Sequence, residues 1–425
     1  MTAHFRLTLS KSLASMGSMG VETSQETWGL PGSAGRTPLR IGIAGTGFVG
    51  AVHAHAARRA GARIVGVAAS SSASAKEAAL RVGAEHAFPD AEALVAAPDV
   101  DVVHICTPNH LHRPLAEAAL AAGKHVVCEK PLALGRSDAQ RLCRVAEAAG
   151  VVATVPFVYR FYPLVREARA RVGGAAGDIG PIRLIHGTYL QDWLSTANDD
   201  SWRVDASLGG ASRAFADIGS HWCDLVEFVT GDRLAAVCAE LVTAVPERVA
   251  LGPHVHAFEV AAGDDGQRRR VTTEDIAMLL FRTVGGVVGS LVVSQVSPGR
   301  KNCLRFEIAA AEATLSFDQE RPETLWVGRR TGTELVARDP AQLSAVSSPY
   351  AALPPGHPQG YQDCFDAFVA DTYRAIQAGS LDAIDGLPGF ADGARAVDIT
   401  DAVLRSATDH RWEAIPGEDE RQVTT

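Results

Sequence analysis

The segment Gly45-Thr46-Gly47-Phe48-Val49-Gly50 reads GxGxxG, and it follows the apolar run Ile41-Gly42-Ile43-Ala44 and opens an alanine-rich stretch. In that setting each glycine has its own steric task. The first permits a tight strand-to-helix turn, the second lets a pyrophosphate approach the backbone, and the third lets helix and strand pack closely. The helix that starts there offers free N–H groups and a partial positive charge. The six residues from Gly45 to Gly50 are therefore expected to cradle a dinucleotide at the edge of a parallel sheet.

The flanking pattern agrees. Short apolar runs alternate with amphipathic stretches from Leu39 onward, with strands expected at 40–44, 64–69, 100–106, 125–129 and 152–157 and helices between them. Beyond Tyr159 the runs at 182–190, 235–242, 275–283, 286–295, 305–309 and 325–327 have few helices between them, and Gly285-Gly286 suggests a hairpin. Helical periodicity returns at 363–378 and 391–407, after a loop at 344–358. The expected fold is α/β: an N-terminal doubly wound Rossmann domain over 38–158, then a C-terminal α+β domain with a mostly antiparallel sheet over 159–410. Residues 1–37, rich in Ser, Gly and Thr, read as a disordered or extended leader, and 411–425 as a tail.

Composition narrows the partners. With 40 basic and 49 acidic residues the net charge is −9, which repels nucleic acid, and no run approaches the length of apolar chain a bilayer span needs. Seven cysteines, odd in number and without a CxxC pair, indicate neither a disulfide framework nor zinc and fit a reducing cytoplasm. His53 and His55 follow the glycines without a third ligand and read as ordinary helix residues, so no metal is expected.

An acid that would bind the adenosine ribose is expected about 20 residues past the glycines. Ala68-Ala69-Ser70-Ser71-Ser72 stands there instead. Ser70 can serve a 2′-phosphate, with Lys76 or Arg113 to assist, so NAD or NADP is expected with a slight lean to NADP.

Cys106-Thr107-Pro108-Asn109-His110-Leu111-His112 and Cys128-Glu129-Lys130-Pro131 resemble the glucose-fructose oxidoreductase, inositol dehydrogenase and MocA (Gfo/Idh/MocA) family. Asp217-Ile218-Gly219-Ser220-His221 lies at the spacing of that family's Asp-x-x-x-His. Segments 188–193 and 356–361 are most similar to its levoglucosan dehydrogenase-like branch. The resemblance runs from Arg40 to about Ala407. It implies an NAD(P)-dependent oxidoreductase moving a hydride between the nicotinamide and a secondary hydroxyl of a sugar, anhydrosugar or polyol. It further implies that Lys130 contacts both cofactor and substrate, often across a cis bond to Pro131, with Thr107, Pro108, Asn109, His112 and Glu129 near the cofactor.

Such a reaction needs a base for the hydroxyl proton. His221 suits that task, Asp217 one helical turn earlier could orient it or bind a hydroxyl, and Lys130 at the sheet edge could polarise the substrate oxygen. Taken alone, Lys130 also fits a solvated lysine before a turn, Asp217 a helix cap, His221 a core histidine, and Asn109 an Asx turn. Tyr159 and Arg160 match family substrate contacts, although an arginine there could equally brace two domains. Gln191, Trp193, Trp202 and Arg203 make a polar-aromatic set suited to sugar, or to an interface; His357 is a weaker candidate. Two other activities compete: a redox-assisted NAD-dependent glycoside hydrolase, and a non-catalytic cofactor-binding sensor. A homodimer or homotetramer is expected by analogy.

Overall fold

The computed structural model describes residues 37–176, 179–250 and 267–417, so the expected leader and the end of the tail lie outside the described residues. The first half alternates as its sequence predicts. The elements run β1 (Arg40–Ala44), α1 (Phe48–Arg59), β2 (Arg63–Ala68), α2 (Ser72–Val82), β3 (His86–Ala87), α3 (Ala91–Ala96), β4 (Val102–Ile105), α4 (His112–Ala121), β5 (His125–Cys128), α5 (Arg136–Ala149) and β6 (Ala153–Thr154). The strands pair in parallel in the order β3-β2-β1-β4-β5-β6, with the glycine loop at the carboxyl end of β1, beside the point where the order reverses. Ile41, Ile43, Val102, Val103, Val126 and Val127 are buried, because helices cover both faces of a parallel sheet.

After α6 (Pro163–Val172) the chain enters a nine-stranded sheet through β7 (Ile182–Leu190), then forms α7 (Ala206–Gly209) and α8 (Ser220–Thr230). It continues with β8 (Leu234–Val242), β9 (Glu247–Val249), β10 (Arg268–Arg270), β11 (Ile276–Thr283), β12 (Val288–Ser294), β13 (Cys303–Ala310), β14 (Thr314–Asp318), β15 (Thr324–Arg329) and β16 (Gly332–Ala337). The order is β16-β15-β14-β13-β7-β12-β11-β8-β17, antiparallel except for β12 with β7. The last member, β17 (Glu413–Ala414), lies in the expected tail and closes the edge on β8. In β11 alternate residues Ala277, Leu279 and Phe281 are buried against the helices, while Met278 and Leu280 face outward, the two-residue period of a sheet covered on one side.

Two long helices, α9 (Tyr361–Ala378) and α10 (Phe390–Asp409), then return to the first half: α9 packs on α1, and α10 packs on α5 and β8. Phe365 of α9 meets His53 of α1 edge to face, and Val155 N–H bonds the Pro388 carbonyl. Among the described residues no helix is long and apolar enough to cross a membrane.

Candidate active site

Gly45 adopts φ +96°, and a Cβ there would stand 2.3 Å from the Cys106 carbonyl oxygen; a Cβ on Gly50 would stand 2.2 Å from the Gly45 carbonyl oxygen. A Cβ on Gly47 would meet nothing within 4 Å. The first and third glycines are thus required by the fold, whereas the second faces open space, where a pyrophosphate would meet backbone N–H groups. The cleft beyond, about 570 Å³, is lined by Gly45, Thr46, Gly47, Ser70, Thr107 and Pro108 together with Arg81. Thr107 Oγ1 there is buried without a hydrogen-bond partner. These features fit a dinucleotide.

Gly47, Cys106 and Trp202 also border a second cavity of about 480 Å³, lined by Phe48, Val49, Glu129, Lys130, Asp217 and His221. Two separate stretches of the chain build its floor. Lys130 follows β5, and its bond to Pro131 is cis. Asp217 lies in a π-helical turn, Phe215–Gly219, that runs into α8, where His221 sits; widened turns of this kind often mark functional positions. Lys130 Nζ donates to Asp217 Oδ1 at 2.7 Å and to the Asp217 carbonyl at 2.9 Å. Gln295 Nε2 donates to Asp217 Oδ2 at 2.8 Å, and Arg203 Nε lies 3.4 Å from Oδ1. Burial would raise the Asp217 carboxyl, but the Lys130 ammonium and then the Arg203 guanidinium outweigh it and hold the group well below the usual range.

His221 is buried between Tyr159 and Phe157, whose rings meet it edge to face, and its Nδ1 has no hydrogen-bond partner. Burial, then the Lys130 ammonium, push its imidazole down to about 3, against the pull of Glu129 and Asp217. Between pH 6.5 and 3 the unfolded chain therefore binds a proton that the native histidine refuses, so this site costs stability as pH falls through that window and nothing above it. Urea unfolding of wild type and His221→Gln should differ in pH dependence by about 1 kcal/mol per pH unit between pH 6.5 and 5, approaching about 1.4 below that, wild type falling faster. Parallel slopes would show that the histidine is not held neutral.

The cavity's upper wall is one hydrogen-bonded row. Asn302 Oδ1 accepts from the Tyr189 hydroxyl at 2.7 Å and from Gln191 Nε2 at 2.8 Å, and Asn302 Nδ2 donates to the Tyr159 hydroxyl. Trp193 Nε1 donates to Gln191 Oε1 at 2.8 Å. Arg203 stacks over the Trp202 ring, 4.4 Å from its centroid. Tyr159, Gln191, Trp193, Trp202 and Arg203 are thus brought together, and with them Asn302, which no local pattern marks, and Tyr189 and Tyr361 of the two family-like segments.

Two family models match the chain: "Oxidoreductase family, NAD-binding Rossmann fold" over residues 39–157, and "GFO/IDH/MocA C-terminal domain" over 165–316. Levoglucosan dehydrogenase of Pseudarthrobacter phenanthrenivorans is 33% identical over 402 residues, covering 89% of this chain and 98% of that protein. The chain belongs to the Gfo/Idh/MocA oxidoreductase family. Inositol 2-dehydrogenase of Rhizobium meliloti, at 25% identity, covers 89% of this chain and 99% of its own. Among solved structures, levoglucosan dehydrogenase in complex with NADH and L-sorbose superposes with a TM-score of 0.81 at 32% identity, covering 89% and 99% of the two chains.

Within this Gfo/Idh/MocA chain several candidates stand outside the cavities. Arg160 is buried in ion pairs with Asp224 and Asp392 and lies over the Phe228 ring, so it braces α8 against α10 instead of meeting substrate. Asn109 Nδ2 donates to the Gly209 carbonyl, and the His112 ring nitrogens lie 2.8 and 2.9 Å from the carbonyls of Pro131 and Thr107. Both are spent on holding the loops that the cofactor cleft needs. His357 is exposed, and Lys76 and Arg113 do not line the adenosine end; Arg81, whose Nη2 bonds the Thr46 carbonyl, does. His53 is no ordinary surface helix residue, being wholly buried between His104 and Glu129. Among the described residues Cys303, Asp318 and Glu320 stand close enough to share a cation, but Arg305 and the N–H groups of Lys301 and Asn302 occupy the two carboxylates.

Proposed function

We propose that this chain is an NAD(P)-dependent dehydrogenase moving a hydride between the nicotinamide and a secondary hydroxyl of a sugar, anhydrosugar or polyol. The observation that carries the reading is the Lys130–Asp217 pair beside His221, on the floor of a cavity that opens onto the glycine loop. The cofactor, when bound, supplies the hydride acceptor. An ammonium has three N–H groups, and Lys130 spends two on Asp217, so one remains for the substrate oxygen. Asp217 is fixed as an anion and orients that lysine. His221, neutral in the free site, takes the hydroxyl proton as negative charge develops on the oxygen.

In this reading Tyr159, Gln191, Trp193, Trp202 and Arg203 recognise the sugar, the aromatic faces meeting C–H groups and the amide and guanidinium meeting hydroxyls. Residues 38–158 form the cofactor half and 159–410 the substrate half. Similarity to levoglucosan dehydrogenase favours an anhydrosugar. Seven free thiols fit a reducing cytoplasm. Leu184, Met278, Leu280, Val288 and Val292 form an exposed apolar face on the large sheet, suited to a second copy of the chain in a homodimer or homotetramer.

The slight lean to NADP gains no support. Ser70, Ser74 and Arg81 stand at the adenosine end, but Glu77, Asp90 and Glu92 line the same cleft, and three carboxylates oppose a 2′-phosphate. Relatives have been solved with NADH and with NAD+. We assign NAD. A panel of anhydrosugars, sugars and polyols followed by nicotinamide absorbance should give kcat/KM at least about tenfold higher with NAD+, a difference of about 1.4 kcal/mol. Preference for NADP+ would overturn the cofactor assignment, and a silent panel with both cofactors the substrate class.

A further inference from the structure

Behind the lysine runs a buried row of four polar side chains that are remote in sequence. The Tyr373 hydroxyl on α9 lies 3.0 Å from His104 Nε2 on β4, His104 Nδ1 lies 2.9 Å from His53 Nδ1 on α1, and His53 Nε2 lies 3.1 Å from Glu129 Oε1. The other oxygen, Glu129 Oε2, accepts the Lys130 backbone N–H at 3.2 Å. His53 and His104 are wholly buried, and Tyr373 and Glu129 nearly so.

Counting protons gives the row a direction. An ionised carboxylate only accepts, so His53 Nε2 must carry the proton that faces Glu129. With a neutral ring, His53 Nδ1 then accepts from His104 Nδ1–H, which leaves His104 Nε2 to accept from the Tyr373 hydroxyl. Every group is satisfied without a buried cation. The reverse filling would make His53 an imidazolium and His104 a donor to the Tyr373 oxygen, stranding the hydroxyl proton, for which no other partner exists among the described residues. Burial pushes His104 well below its usual value, as the neutral filling requires. Burial would raise Glu129, but the bond from His53, with help from the Lys130 ammonium, brings it below the usual value.

We propose that His53 is a positioning residue of the active site: as the donor end of a one-way row from Tyr373, it locks the Glu129 carboxylate and through it the Glu129-Lys130 backbone that aims the lysine at Asp217 and substrate. Among the described residues the row ends at Tyr373 with no further acceptor, so it is an orienting device and not an exit for protons. The role of Lys130 in this inference rests on the dehydrogenase reading; the direction of the row does not.

Two measurements on the full chain test it. Histidine-labelled protein observed by 15N NMR at pH 7 should show His53 as the Nε2–H tautomer and His104 as the Nδ1–H tautomer, assigned with His53→Gln and Tyr373→Phe. A protonated His53, or the opposite tautomers, would overturn the direction. In kinetics, His53→Leu should lower kcat about 10- to 100-fold, the scale of a misplaced reacting group, with cofactor affinity unchanged. His53→Gln, which sets an N–H where the imidazole Nε2 stands, should recover most of that loss. Wild-type kcat in the leucine variant, or a glutamine variant as impaired as leucine while equally folded, would sink the positioning role. Should leucine prevent folding, the glutamine variant and the tautomers still decide. A wild-type protein silent on every sugar would instead count against the dehydrogenase reading and leave the tautomer result standing.

Discussion

Lys130→Met should lower kcat about 10³-fold and change the cofactor dissociation constant far less, because in the proposed dehydrogenase the ammonium meets the reacting oxygen while the glycine loop holds the pyrophosphate. The same change strips Asp217 of its nearest cation. Both side chains of the pair are only 14% exposed, and removing one partner of a buried pair costs about 3–5 kcal/mol. Arg203 and Gln295 remain beside the carboxylate, which places the expected loss at the lower end of that range. Adding Asp217→Asn to the lysine variant should restore part of the stability and none of the turnover. Stopped-flow absorbance and urea unfolding separate the two effects. Turnover within tenfold of wild type in Lys130→Met would remove the lysine from the chemistry.

Asp275→Asn should destabilise the fold by about 3–5 kcal/mol, although Asp275 touches neither cavity. Its carboxylate takes Arg213 and Arg248 together, and all three side chains are wholly buried; its other oxygen accepts the Val245 N–H at 2.8 Å. Neutralising it leaves two guanidiniums in the interior with one fewer anion. Arg248 also bonds the carbonyls of Leu194, Thr196 and Asp199, in the loop that carries Trp193, Trp202 and Arg203. If that loop binds the substrate, as proposed, the substrate KM should rise by a larger factor than kcat falls. A variant of wild-type stability, or one whose loss falls wholly on kcat, would contradict this account.

Much of the first half was legible because its signals are local. Apolar runs bounded by glycine and alanine-rich stretches mark β1, α1, β2, α2, β4 and β5 within a few residues of their ends, and GxGxxG fixes the cofactor edge. The short β3 and α3 escape the pattern, since two and six residues carry little periodicity. Helix α8, Ser-His-Trp-Cys-Asp-Leu-Val-Glu-Phe-Val-Thr, is buried nearly all round, so it lacks the polar stripe that announces a surface helix. Strand β16 has the opposite problem: it is an exposed edge with little to bury.

The site divides along the same line. Lys130, Asp217 and His221 belong to spaced motifs, and the structure brings them together. Arg160 has two readings in sequence because an arginine beside a domain junction looks alike whether it meets substrate or Asp224; the structure pairs it with Asp224 and Asp392. Asn302 and Gln295 depend on strand register in the large sheet, and the partners of His53 are 51 and 76 residues away, beyond any window of periodicity.

The return of α9 and α10 changes what the two halves are. The polypeptide leaves the parallel sheet after β6, yet α9 packs on α1 and α10 on both α5 and β8, and α9 carries both Tyr361 of the second cavity and Tyr373 of the row behind Lys130. A gene fragment ending after β6 would encode the glycine loop and all but Trp202 of the residues that line its cleft, and would still lay bare the faces of α1 and α5 that the last helices cover. The nucleotide half is therefore not a transferable cassette.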